Sequence, residues 1–139
     1  MNGTSTEAAA TPEWRRRLPM IGLVAAAWAV LPPYTGPELD TATRVEVADH
    51  VVPGALVLLV AAFSLGFSRR ALSAPTAMLV AGLTVTLAGL WMTFTHVPLV
   101  VQAVDREVSL GAAVYHTLPG VAVLVLGLVW AAAYWRDSA

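Results

Sequence analysis

The sequence predicts an all-α fold: a bundle of four transmembrane helices built from two tandem helical hairpins. Three observations predict it. Apolar residues make up 58% of the 139 residues and charged residues only 12%, where a soluble domain carries about 25% charged. The charges cut the chain into four uncharged stretches, residues 18–37, 51–68, 71–104 and 108–135, and crossing the hydrocarbon takes about 20 apolar residues, about 17 at the least. The two halves also repeat one another, so one hairpin predicts the other.

Residues 1–17 open with a small, polar segment that reads as a disordered cytoplasmic terminus, closed by Arg15, Arg16 and Arg17. A basic cluster before an apolar run is also how a secretory signal begins. Here Leu31-Pro32-Pro33-Tyr34 follows the run instead of a small-residue cleavage site, so the segment reads as an uncleaved first span. The first hairpin is residues 18–70 and the second is residues 71–139. The third uncharged stretch exceeds one span, which places its start, with Pro75, in the interface and its end beyond the far side.

With four spans, Arg15, Arg16, Arg17, Arg69, Arg70 and Arg136 share one side, and only Arg44 and Arg106 share the other. The positive-inside tendency makes the first side cytoplasmic. Both termini are then cytoplasmic and the chain is a multi-pass protein of the cell (plasma) membrane. Glu38, Asp40, Glu46, Asp49, Asp105 and Glu107 make the outer loops acidic. Trp14, Tyr134 and Trp135 suit the inner interface, Tyr34 and Tyr115 the outer one.

The repeat shows most clearly in Asp49-His50-Val51-Val52-Pro53-Gly54 and Tyr115-His116-Thr117-Leu118-Pro119-Gly120, both x-His-x-x-Pro-Gly ahead of an apolar run. Trp28 corresponds to Trp91 upstream. Two spans per half make the repeats parallel, about an axis along the membrane normal. Pro53 and Pro119 are expected in the first turns of the second and fourth helices, where a missing N–H costs little. Gly54 lets a neighbouring helix approach. Gly82 and Gly89, like Gly120 and Gly127, are seven residues apart and share a helix face, the pattern that allows close contact in lipid.

A short span ending in Leu31-Pro32-Pro33-Tyr34-Thr35-Gly36, an acidic outer loop, and a second span opening on His50-Val51-Val52-Pro53-Gly54 resembles the SPW repeat family of small bacterial and archaeal membrane proteins. The resemblance implies a two-helix unit, here doubled, and a membrane location; it implies no activity. The signature Ser-Pro-Trp reads Pro32-Pro33-Tyr34 in the first half and Thr95-His96-Val97 in the second.

Composition excludes several classes. A net charge of −1 offers no basic face for nucleic acid, and the absence of Cys removes disulfides, thiolate metal sites and thiol catalysis. There is no catalytic motif, and no charged residue inside a span to mark a proton relay. The chain is not expected to be an enzyme. Three readings stand. The first is a structural or accessory subunit that packs against a larger membrane complex or its own copies, with lipid and protein as partners and no cofactor. The second is a metal- or haem-binding protein that uses His50, His96 and His116, all on the outer side, with Asp49 adjacent. The third is a small oligomeric channel or carrier lined by Thr84, Thr86, Thr93 and Thr95, although such hydroxyls commonly bond their own helix.

Overall fold

The computed structural model describes residues 13–35, 43–68 and 75–138, and among these the regular structure is all helical. Helix α1 is Glu13–Val30 and the single turn α2 is Pro32–Thr35. The turn α3, Thr43–Glu46, runs directly into a π-helical turn, Val47–Val51, and on into α4, Val52–Ser68. Helix α5 is Pro75–Thr95, α6 is Val97–Val104 and α7 is Leu110–Trp135. The expected 1–17 terminus is shortened, because Glu13–Arg17 form the first turns of α1; residues 1–12 lie outside the described residues.

Three helical stretches among the described residues are long and apolar enough to cross a membrane: Val47–Gly66, Pro75–Val104 and Leu110–Trp135. Helix α1 differs because its first turns carry Glu13 and three arginines. Its uncharged part, residues 18–30, rises only about 20 Å, short of the roughly 30 Å of hydrocarbon.

Two helix starts depart from expectation for identifiable reasons. Pro53 does not open its helix, since helical backbone already runs from Thr43. A proline inside a helix lacks the N–H and presses its ring on the carbonyl four residues back, here Asp49. The wider π turn over Val47–Val51 accommodates that ring. Pro119 is also interior: α7 begins at Leu110, capped by Ser109, whose Oγ accepts from the Ala112 N–H at 3.1 Å. His116 therefore lies within α7 and not at its entrance. The long third stretch breaks at His96, the N-cap of α6, with Pro98 in the first turn of that helix.

Helix α1 packs on α4, α4 on α5, α5 on α7, and α7 back on α1. The α5–α7 pair is antiparallel and meets backbone to backbone. A Cβ at Gly82 would strike Ala131, one at Gly89 would strike Leu124, and one at Gly127 would strike Thr86. Each step of seven on α5 is thus answered by a reverse step of seven on α7. Gly120 sits against Met92 and Thr93, and Gly54 sits against Val30 and Ala26 of α1.

The interior holds many small side chains, among them Ala26, Ala29, Ala61, Ala81, Ala88 and Ala112, with Trp130 as its largest member. Bulky apolar groups such as Val24, Leu59, Phe63, Leu87, Phe94 and Leu128 point outward. Soluble proteins rarely expose contiguous apolar patches above a few hundred Å², whereas small residues at helix contacts are what lipid-embedded helices use. At one end of the molecule Arg15 pairs with Asp137, with its guanidinium 5.5 Å from the Tyr134 ring. The start of α1 and the end of α7 are therefore neighbours.

Candidate metal centre

At the opposite end, the three histidines come together. His50 leaves the π turn, His96 occupies the turn between α5 and α6, and His116 projects from α7. They are 1%, 7% and 3% exposed. Their ring centroids stand 4.6, 5.6 and 6.4 Å apart, and one nitrogen from each ring lies within 4.8 Å of the others. Sequence placed them on one outer rim near the surface; the structure buries them between helices.

Two of the rings are held by backbone. His50 Nδ1 lies 3.2 Å from the Ala29 carbonyl, and His96 Nδ1 lies 2.7 Å from the Met92 carbonyl. Both carbonyls are ones a helix end leaves without an N–H partner. Ala29 is in the last turn of α1, and the residue four further on is Pro33, which has no N–H to offer. The His96 N–H, which would serve Met92, turns instead to the Thr93 carbonyl at 3.3 Å.

Those contacts favour one tautomer. A carbonyl only accepts, so each Nδ1 carries the hydrogen and each neutral ring presents its Nε2 as a lone pair. The two Nε2 atoms face one another at 2.9 Å. Two lone pairs at that distance need a cation between them, a proton or a metal ion. Donation of the far ring N–H to a backbone carbonyl is the usual support of a metal-bound histidine, fixing tautomer and ring orientation together. Bonds of 2.0–2.1 Å to a tetrahedral ion would set two nitrogens about 3.3 Å apart, a few tenths of an ångström more than this pair shows.

The donor set is three imidazoles. Asp49, considered as a fourth ligand, is not among the residues whose donor atoms converge. Haem fits poorly, since a porphyrin must pass between its two axial imidazoles and the closest rings here already touch. Around the site, Tyr115 sets its ring 5.7 Å from His116, and its hydroxyl shares a 2.7 Å hydrogen bond with Thr35 Oγ1 of α2.

The other candidate features have local roles. Thr84, Thr86, Thr93 and Thr95 donate to the carbonyls of Val80, Gly82, Gly89 and Met92 in their own helix. Gly54, Gly82, Gly89, Gly120 and Gly127 all pack within the chain. Sequence reasoning missed the π turn and the two anchoring carbonyls; the shared placement of His50 and His116 three residues before a proline was the available signal. Comparison of the chain with protein-family models, with curated proteins and with solved structures finds no match.

Proposed function

We propose that this chain is an integral membrane protein that holds one transition-metal ion on His50, His96 and His116. The observation that carries the reading is the pair of facing Nε2 atoms at 2.9 Å, each ring with its Nδ1 against a backbone carbonyl. Imidazole suits Zn, Cu, Fe and Ni, and three such donors leave further coordination positions open.

The membrane arrangement that goes with it is four crossings as two tandem hairpins, residues 18–70 and 71–139, in the plasma membrane with both termini cytoplasmic. Six of the eight arginines on one side support that orientation, and so does the closeness of Arg15 to Asp137. The likeness of the hairpins is supported by Gly54 against Ala26 and Gly120 against Met92, which keep the 66-residue offset of the motif. Helix α1 then spans together with the turn α2, its arginines at the headgroups. The SPW-like architecture agrees with this layout.

Elemental analysis of protein purified in detergent after growth with trace metals tests the function. One equivalent of metal per chain, lost when His50 and His116 are both replaced by Ala, is the expected result; metal-free protein that takes up none on incubation refutes it. The accessory-subunit reading loses its main support, because the glycines that suit association pack inside the chain. A Thr-lined path is disfavoured too, as its hydroxyls are bonded to their own helix.

A further inference from the structure

We infer that the groove between α6 and α7 holds one acyl chain of a zwitterionic phospholipid, whose headgroup sits on Asp105, Arg106 and Glu107. The inference rests on the membrane layout proposed above and is independent of the metal site. The groove encloses about 190 Å³, and its walls include Val100 and Val104 of α6 and Leu110, Val114, Leu118 and Val121 of α7. Among the described residues no charged side chain lines it, and Thr117 is the sole polar one. Helix α6 buries none of its residues, so its apolar side of the groove is left open.

Length and height decide what fills it. From Leu110 to Val121 α7 rises about 16 Å, close to half of the roughly 30 Å of hydrocarbon and so to the chains of one leaflet. With Tyr115 at the outer interface, Leu118 and Val121 lie on its inward side, and a chain enters there from the bilayer without crossing water. Leu110 and Val114 lie on its outward side, 69% and 48% exposed, at a height where ordinary lipids present headgroups. A lipid seated in the groove covers them.

Charge selects the lipid. Residues 105–109 join Val104 to Leu110 across the outer end of the groove and carry Asp105, Arg106 and Glu107 in succession, all exposed. A phosphate meets the guanidinium and an ammonium meets the flanking carboxylates, whereas an anionic headgroup meets a tip of net negative charge. Arg106 has φ 64°, in the left-handed position after a helix that glycine usually fills. Its N–H donates to the Ala103 carbonyl at 3.2 Å, and the Glu107 N–H donates to the Gln102 carbonyl at 2.9 Å. The turn thus keeps a guanidinium where any side chain strains the backbone.

The test uses the full-length protein in nanodiscs of phosphatidylethanolamine and phosphatidylglycerol with a minor share of diacylglycerol. Native mass spectrometry identifies the lipid that stays bound on release. One phosphatidylethanolamine per chain is the expected result. It should be lost in Val114→Trp, which fills the groove from an exposed position, and in Arg106→Gly, which removes the cation and relieves the turn. Both variants should keep the helical circular dichroism and the metal content of the parent, which separates loss of lipid from loss of fold. Phosphatidylglycerol or diacylglycerol retained as well as phosphatidylethanolamine overturns the headgroup assignment. No retained lipid, lipid that survives both variants, or a lipid-free dimer overturns the site. A chain that stays soluble without detergent overturns the membrane layout itself.

Discussion

His50 and His96 meet Nε2 to Nε2 at 2.9 Å across 46 residues of sequence, and each is anchored from behind by a carbonyl at the end of a different helix. The pair is therefore an outcome of helix packing, and perturbing either anchor should disturb it.

The proline beside the π turn gives one such perturbation. Pro53→Ala returns an N–H to the helix and removes the ring that the π turn accommodates, so residues 47–53 can wind as regular α-helix and His50 turns away from His96. Metal affinity should fall about 10- to 100-fold, as for other losses of ligand orientation. Thermal stability should hold or rise, because an interior proline costs on the order of 3 kcal/mol. Isothermal titration and a melt on the same preparation check both halves of this expectation.

Gly89 and Gly127 predict a different effect. Gly89→Val or Gly127→Val puts a side chain into the opposing backbone, so α5 and α7 must part. Overpacking alone costs about 1–3 kcal/mol, and backbone contact leaves little room for relief, so a loss at or above the top of that range is expected in chemical unfolding from mild detergent. Gly111→Ala, where the surroundings are open, should be neutral or stabilise by up to about 1 kcal/mol.

Replacing His96 should separate binding from folding. His96→Ala removes a ligand and leaves His50 with its Ala29 bond, so stoichiometric metal should be lost. The loss of folding stability should stay within about 1–3 kcal/mol, the cost of a deleted buried hydrogen-bonding group. Metal content and unfolding of the same variant provide the comparison.

Topology can be read with cysteine labelling, since the chain has no native Cys. Arg17→Cys and Ser138→Cys should react only with reagent reaching the cytoplasmic face, and Tyr34→Cys, an exposed position near the histidines, only from outside. Reaction of Arg17→Cys and Ser138→Cys from opposite faces would exclude an even number of crossings.

Much of this was legible in the residues. Uncharged stretches locate α4, α5 and α7, because lipid tolerates few charges and helices satisfy their own backbone. The seven-residue glycine spacing marks the α5–α7 contact. His50 and His116 stand out through the x-His-x-x-Pro-Gly pair. Pro119 misled, since proline is a sound start signal and the actual start lies at Ser109, whose side-chain cap is a weaker mark. The first uncharged stretch, residues 18–37, ran past the end of α1 at Val30, so the apolar part of that helix is shorter than the stretch. The anchoring carbonyls were invisible, because any residue has one and only the fold shows which is left over.

The α5–α7 contact has a mechanical consequence. With backbone against backbone at successive levels, no rotamer change can slide one helix along the other, so His96 and His116 keep a fixed relative height. His50 belongs instead to the π turn ahead of α4 and lies against the end of α1. Of the three imidazoles it is the one whose height the α5–α7 contact does not fix.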